Sequence, residues 1–363
     1  MNRFAGAFYR LFFSPLPYKP EFEKDPRKIL IIRQHNQLGD LLASSSLFRA
    51  LKKKFPLSHI TLIVSPANKD AVTKNKFIDR VIVFEKARHL NPVEFFRFMS
   101  VLREGYDWVL VPVTVSISFT SNLMAGIAKG KLKAGANWLD GKYNESAFFF
   151  NKKINLDWRL QPDLHIAERI LDIVKPLGVE PAGYSPEVSF DGEDEEKAEK
   201  FLTRFEEYNQ RCIIGLHTGA GKIPNRWYHK NFVNLIKELK ANWDACIYLT
   251  GSSADLSIIE KIKEELNFTV LEFIDKSIPE VAALISKSDL FITNDTGIMH
   301  VAGSTSTPQI SLFGPTNPFV WAPMGKNKVF LQRSDIIDNI TVNEVFDIAG
   351  RLLSQSPKIN KNA

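Results

Sequence analysis

The sequence predicts an α/β protein with two parallel-sheet domains, and three observations predict it. Short apolar, β-rich runs alternate with amphipathic helical stretches over residues 28–113, the pattern of βαβ units. The alternation stops over residues 178–186, a linker-like stretch holding Pro181, Gly183 and Pro186, and restarts at Arg211. A chain of 363 residues, 44% hydrophobic and 24% charged, is long enough for two domains and too apolar to be disordered.

In the first half, residues 2–13 place Phe4, Ala7, Phe8, Leu11 and Phe12 at helical spacing, with Arg3 and Arg10 among them. Such a helix can lie in a membrane interface or pack on the protein's own surface. Residues 28–33 (KILIIR) form a first buried strand. A polar loop then ends in Gly39-Asp40, and residues 41–55 read as a helix with Lys52, Lys53 and Lys54 in its last turn and Pro56 as its stop. Asp40 therefore stands at a strand end and a helix start, as a candidate base or as a plain N-cap. Residues 60–64, 80–84 and 107–113 are the next strands, with helices between them. The longest uncharged run, residues 108–128, contains Pro112 and Asn122 and reads as strand, loop and helix, not as a membrane span. Residues 138–159, with Phe148, Phe149 and Phe150 in a row, read as strands and loops at a sheet edge, candidate lining for an acceptor. Residues 164–177 are helical.

In the second half, residues 191–205 form a helix whose acidic start and basic end suit its dipole. The strand 211–217 runs into Thr218-Gly219-Ala220-Gly221-Lys222, small residues that let backbone N–H groups approach phosphate. The spacing is not that of a Walker P-loop. Helices over 231–240, 255–266 and 278–286 alternate with strands over 245–250 and 270–273. The most informative stretch follows: a strand over 290–293, then Asn294-Asp295-Thr296-Gly297, with His300 three residues later. That spacing gathers Asp295, Thr296, Gly297 and His300 at a strand's carboxyl end and a helix start. Open α/β sheets bind ligands there, and helix N-termini attract phosphate. The alternative is that Asp295 only caps the helix. A last strand over 308–313 leads to Gly314-Pro315-Thr316-Asn317-Pro318, and a closing helix over 341–353 is expected to pack back on the first domain.

Cys212 and Cys246 sit in apolar runs and read as core residues; nothing suggests a disulfide framework or a metal site. The net charge of +6 and pI of about 9.1 suit anionic partners such as a nucleotide, a phosphorylated lipid or a nucleic acid. No helix-turn-helix, zinc-ligand spacing or aromatic sheet motif supports the last, so no nucleic-acid partner is expected. No secretory signal is evident. The expectation is a cytoplasmic protein, attached to the inner face of the cytoplasmic membrane, an anionic surface, through its first twenty or so residues.

Four segments, taken in order, resemble glycosyltransferase family 9, the bacterial lipopolysaccharide heptosyltransferases. They are Arg33 with Leu38-Gly39-Asp40; Gly215-Leu216-His217-Thr218-Gly219-Ala220 with Arg226-Trp227; Asn294-Asp295-Thr296-Gly297-Ile298-Met299-His300; and Leu312-Phe313-Gly314-Pro315-Thr316-Asn317-Pro318. The resemblance implies the GT-B fold of two facing Rossmann-like domains: an acceptor domain over residues 1–185, a nucleotide-sugar domain over 186–340, and a closing helix and tail over 341–363. It implies inverting transfer of a heptose from ADP-heptose to a lipid A-linked core oligosaccharide, with Asp40, beside Gly39, as the base that deprotonates the acceptor hydroxyl. His217, Thr218, Gly219, Asp295, Thr296, Gly297 and His300 would line the donor site. The family's phosphate-contacting lysine usually stands two residues before the tryptophan, where this chain has Asn225; Lys222 or Arg226 is the expected replacement. The chain also departs from the family at Asn317, where aspartate is common, and at Ser46, where proline is usual. No Asp-x-Asp pair is placed for a divalent ion, so neither metal nor cofactor is expected; helix N-termini and a cation would stabilise the leaving diphosphate. Asp40 would sit across the cleft from the donor half, and domain closure would assemble the site. Two other readings stand beside this one: a related transferase using another nucleotide-sugar, and a non-catalytic sugar-nucleotide-binding protein of the envelope pathway.

Overall fold

The computed structural model describes residue 13, residues 15–206 and residues 208–354 of the chain. The chain divides into two compact units, Met1–Tyr184 and Ser185–Ala363. Apart from Phe13, the amphipathic segment expected over residues 2–13 lies outside the described residues.

The first unit carries a sheet of β1 (Lys28–Arg33), β2 (His59–Val64), β3 (Arg80–Val83), β4 (Tyr106–Leu110), β5 (Gly130–Leu139), β6 (Lys142–Tyr143) and β7 (Lys152–Leu156). Their order is β3-β2-β1-β4-β5-β6, with β7 also beside β5. All pairs are parallel except the β5–β6 hairpin. Helices cover both faces, which is why the strands read as near-continuous apolar runs. Along β1, Ile29 and Ile31 point into a layer with Leu47, Leu51 and Trp108, while Leu30 and Ile32 point into one with Phe98, Val109 and Met124. The edge at residues 138–159 is the β5–β6 hairpin with β7, as the mixed composition there predicts.

The second unit repeats the plan. Its strands are β8 (Ile213–His217), β9 (Cys246–Gly251), β10 (Leu271–Ile274), β11 (Leu290–Asn294), β12 (Gln309–Leu312) and β13 (Lys328–Leu331), all parallel, in the order β10-β9-β8-β11-β12-β13. Each unit is thus a Rossmann-like sheet, and the fold is GT-B. Cys212 and Cys246 are buried free thiols.

Three features differ from the sequence reading. The helix expected over residues 41–55 is two helices, Leu38–Ala43 and Ser45–Lys54, meeting at Ser44. The Ser44 hydroxyl donates to the Asp40 carbonyl (3.0 Å) and accepts from Arg33 Nε (3.3 Å), a local side-chain bond of the kind that bends or interrupts helices. The first of these helices starts at Leu38, so Asp40 lies inside its first turn with Gln37 at the N-cap, and the plain N-cap alternative fails. β13 was not anticipated: four residues, mostly half-buried and opening with Lys328, leave little periodic signal. The closing helix, Val342–Leu353, joins the second unit instead of returning to the first domain. Its apolar face (Val345, Ile348, Ala349, Leu352, Leu353) enters the core containing Leu235, Ile236 and Leu239.

Candidate active site

In a parallel sheet whose order reverses direction, a crevice opens at the carboxyl ends of the strands flanking the reversal. Here those strands are β1 and β4 in the first unit, and β8 and β11 in the second.

At the first crevice the chain leaves β1 through Arg33 and, after the loop 34–37, reaches Asp40 in the first turn of the helix Leu38–Ala43. Arg33 is 3% exposed, and its Nη2 donates to Asp40 Oδ1 (3.1 Å) and to Thr114 Oγ1 (2.8 Å). Thr114 follows β4, and its own hydroxyl lies 2.6 Å from the same Asp40 oxygen. One carboxylate oxygen is therefore anchored by a charge-assisted bond and a hydroxyl. The other, Oδ2, accepts no hydrogen bond among the described residues. The carboxylate is held in one rotamer with one oxygen available. Gly39 precedes it in the same turn. Further along this edge, Gln34 Nε2 donates to Ser118 Oγ (3.2 Å), tying the loop after β4 to the loop after β1. A cavity of about 430 Å³, lined by Ile117, Phe119, Tyr143 and Asn144 among others, opens beside that loop.

At the second crevice, Asn294 joins the two strand ends. Its Nδ2 donates to the carbonyls of Thr218 (2.9 Å) and Gly219 (3.3 Å), and its Oδ1 accepts from Trp227 N (3.3 Å). The loop after β8 is thus clipped to the end of β11. A Cβ at Gly219 would lie 2.2 Å from Asp255 Oδ1, so a larger residue there would have to push that carboxylate aside. Thr218 is fully buried, and its hydroxyl finds no partner among the described residues. His217 is buried; its Nδ1 lies 3.1 Å from Thr250 Oγ1, which donates onward to the Leu216 carbonyl (3.4 Å). That chain makes Nδ1 the donor and leaves Nε2 as an acceptor. Burial pushes the imidazole down to about 4, against the pull of Asp255, so the ring is neutral at pH 7.

Asp295 follows β11 and is half-buried. Asn225 Nδ2 donates to its Oδ2 at 2.7 Å, while Asn225 Oδ1 is buried with no partner among the described residues. Burial raises the Asp295 carboxyl above the usual range, opposed by a hydrogen bond from Thr316 and by the charge of Lys222. Thr296 is the N-cap of the helix Gly297–Gly303 without using its hydroxyl, so Asp295 is not the cap. Arg226 donates through Nε to the Ala220 carbonyl (2.6 Å) and has no carboxylate partner among the described residues.

A cavity of about 530 Å³ opens at this edge, lined by His217, Arg226, Thr250, Thr296, Ile278 and Ile298 among others. It offers what a nucleotide needs: apolar side chains for a flat ring, hydroxyls, and an uncommitted guanidinium. Of the expected donor residues, His217, Arg226 and Thr296 line it. Lys222 is exposed and close enough to act on Asp295, but is not in the wall. Gly297 begins the helix. His300 is 4% exposed, with its ring 6.1 Å from that of Trp321 in a T-shaped contact. Thr114, Thr250, Ile278 and Ile298 were missed by the sequence reading. Only their positions, Thr114 just beyond β4 and Thr250 near the end of β9, could have pointed to the first two. No cluster of three metal-ligating side chains occurs among the described residues.

Comparison with known proteins follows the same lines. The model of glycosyltransferase family 9 (heptosyltransferase) matches residues 95–342. The chain is 24% identical over 313 residues to lipooligosaccharide heptosyltransferase 2 of Haemophilus influenzae, covering 81% of this chain and 86% of that one. It is 24% identical over 298 residues to lipopolysaccharide heptosyltransferase 3 of Escherichia coli, covering 80% and 85%. Among solved structures, a family 9 glycosyltransferase from Veillonella parvula superposes with a TM-score of 0.80 at 21% identity, covering 94% of this chain and all (100%) of that one. The E. coli ADP-heptose lipopolysaccharide heptosyltransferase II superposes with a TM-score of 0.74 at 22% identity, covering 90% and 99%.

Proposed function

The chain belongs to glycosyltransferase family 9, the heptosyltransferases, and from that premise we propose that it moves a heptose from ADP-heptose, with inversion, to a lipid A-linked core saccharide, with Asp40 as general base. The observation that carries the reading is the Asp40 carboxylate, anchored through Oδ1 by Arg33 and Thr114 and open at Oδ2. In the step, Oδ2 takes the proton of the acceptor hydroxyl as its oxygen bonds the anomeric carbon. The bond from that carbon to the phosphate oxygen breaks, and ADP leaves with the electron pair. Positioned base assistance of this kind is worth about 10²–10⁴-fold.

The first unit takes the acceptor, along the edge holding Asp40, Phe119 and Tyr143. The second takes the donor, with the base in the 530 Å³ cavity and the diphosphate against Arg226, Lys222 and the loop of Thr218 and Gly219. Two similar solved structures support the nucleotide: E. coli heptosyltransferases solved with ADP (TM-score 0.70) and with ADP-2-deoxy-2-fluoro heptose (TM-score 0.68). The protein works from the cytoplasmic side, on the inner face of the membrane; among the described residues no helix is long and apolar enough to cross one.

One observation favours a second reading, transfer from another nucleotide-sugar. The position of the family's phosphate-contacting lysine holds Asn225, committed to Asp295. A panel of adenosine, uridine and guanosine diphosphate sugars, read by thermal shift and by release of the nucleotide diphosphate, tests both. ADP-heptose should stabilise the protein most and should be consumed only with Asp40 present. Preference for another base moves the assignment to the second reading, and binding of none rejects both.

A further inference from the structure

The helix Pro92–Leu102 is apolar on two sides. One side is accounted for: Phe98 and Leu102 pack into the core layer of Leu30, Ile63 and Val109. The other faces away from the protein. Leu90 is 85% exposed, Val93 57%, Phe95 44% and Phe96 70%. Val93 and Phe96, three apart in the helix, lie on one outer face, and Leu90 is exposed in the short turn just before the helix's N-cap, Asn91. The Phe95 ring meets that of Phe96 edge-on at 5.8 Å, which widens that face into a patch. Single exposed apolar residues are ordinary; four large ones contiguous in one segment mark a contact surface.

The flanks select the partner. Lys86, Arg88 and Arg97 border the patch. Glu94, only 25% exposed, holds Arg97 at 2.9 Å and Arg88 at 3.3 Å, while those arginines remain 72% and 60% exposed. Both guanidinium groups are therefore steadied beside the aromatic stripe and still face solvent. Phenylalanine and branched side chains in one strip, cations alongside, and a chain of net charge +6 complement a surface that is apolar beneath an anionic skin. The position fits as well. β1, β3 and β4 all run in the same direction, so the segment leaving β3 after Val83 emerges at the sheet edge that carries Asp40 and Thr114.

We propose that residues 86–97 are a membrane-contact surface that docks on anionic bilayers, with Leu90, Val93, Phe95 and Phe96 among the headgroups and Lys86, Arg88 and Arg97 on lipid phosphates. Docking there brings the Asp40 edge to the bilayer, and it depends neither on the sugar transferred nor on residues 2–13.

Flotation of the full-length protein with vesicles of phosphatidylethanolamine and phosphatidylglycerol, and with vesicles of phosphatidylcholine alone, tests it. The protein should float with the anionic vesicles, less so as salt is raised. The variant Leu90→Ser/Val93→Ser/Phe96→Ser should lower the partition coefficient about tenfold or more. The variant Arg88→Gln/Arg97→Gln should lower it less and flatten the salt dependence. An unchanged thermal midpoint verifies the fold of each variant, since these side chains are solvent-facing. Wild-type-like flotation of the triple-serine variant overturns the proposal, as does failure of the wild type to float with either vesicle. A wild-type dimer that the triple-serine variant dissolves, by light scattering, also overturns it, because the patch would then be an interface between copies of the chain.

Discussion

In the first unit the chain leaves β1 toward Asp40 and leaves β4 toward Thr114; in the second it leaves β8 into the loop 218–226 and leaves β11 toward Asp295. The strand order is the same and the carboxylates stand at equivalent crevices, but their partners differ. Asp40 is tied to the buried Arg33 guanidinium at 3.1 Å. Asp295 is tied to the Asn225 amide at 2.7 Å, a neutral donor. The guanidinium, with the Thr114 hydroxyl, holds its carboxylate in one rotamer. An amide fixes geometry without adding charge, and burial then raises the Asp295 carboxyl. The comparison teaches how one topology can hold two differently partnered carboxylates. The first crevice presents a paired carboxylate with one open oxygen. Among the described residues, the second has its cations, Arg226 and Lys222, outside carboxylate pairs, which suits the diphosphate proposed for it.

The most severe way to break the contrast is Asp40→Asn. It keeps size and the bond to Arg33 but cannot take a proton, so turnover should fall about 10²–10⁴-fold with donor affinity nearly unchanged. Turnover and nucleotide affinity measured on one preparation decide it, and near-wild-type turnover removes Asp40 from the chemistry.

The neutral state of His217 in the second crevice can be tested by pH. His217 is held down to about 4 in the folded chain, against an ordinary value of 6.5. Between those values the unfolded chain binds the proton and the folded one does not, so stability must fall as pH drops from about 6.5 toward 4. The full effect is on the order of 3 kcal/mol. His217→Gln should lose that part of the slope in urea titrations taken at several pH values; an unchanged slope would place the acid sensitivity elsewhere.

Arg226→Ala and Lys222→Ala sharpen the assignment of the uncommitted cations. The one that meets phosphate should cost about 1.5–3 kcal/mol of nucleotide affinity by calorimetry. If neither variant changes affinity, the second crevice does not bind a diphosphate through them.

The smallest effect is expected at Asn225→Ala. It removes the 2.7 Å donor to Asp295 and also an amide oxygen that has no partner among the described residues, so the net stability cost should be about 1 kcal/mol, read from the denaturation midpoint. A loss several times larger would mean that Asn225 does more than hold Asp295.

Much of this was legible in local sequence. Runs such as KILIIR must be strands buried on both faces, because so many branched apolar residues in a row leave no polar face to expose. Asp40 and Asp295 could be singled out because turn residues after a buried strand fall at its carboxyl end whatever the rest of the chain does. Capping boxes such as Thr341 with Glu344 mark helix starts by chemistry that spans only a few residues.

What the tertiary structure alone decided are the partnerships. Thr114 reaches Asp40 from 74 residues away, and Asn225 reaches Asp295 from 70. No local pattern distinguishes these polar residues from others that end in solvent. The break at Ser44 depends on Arg33 arriving from the strand before it. The destination of the closing helix depends on which core has room for its apolar face, and the outer patch at Leu90, Val93 and Phe96 depends on which side of the helix Pro92–Leu102 the sheet already occupies. Periodicity records that a face is apolar, because the 3.6-residue turn writes it into the chain; what that face meets is settled only when distant segments compete to bury it.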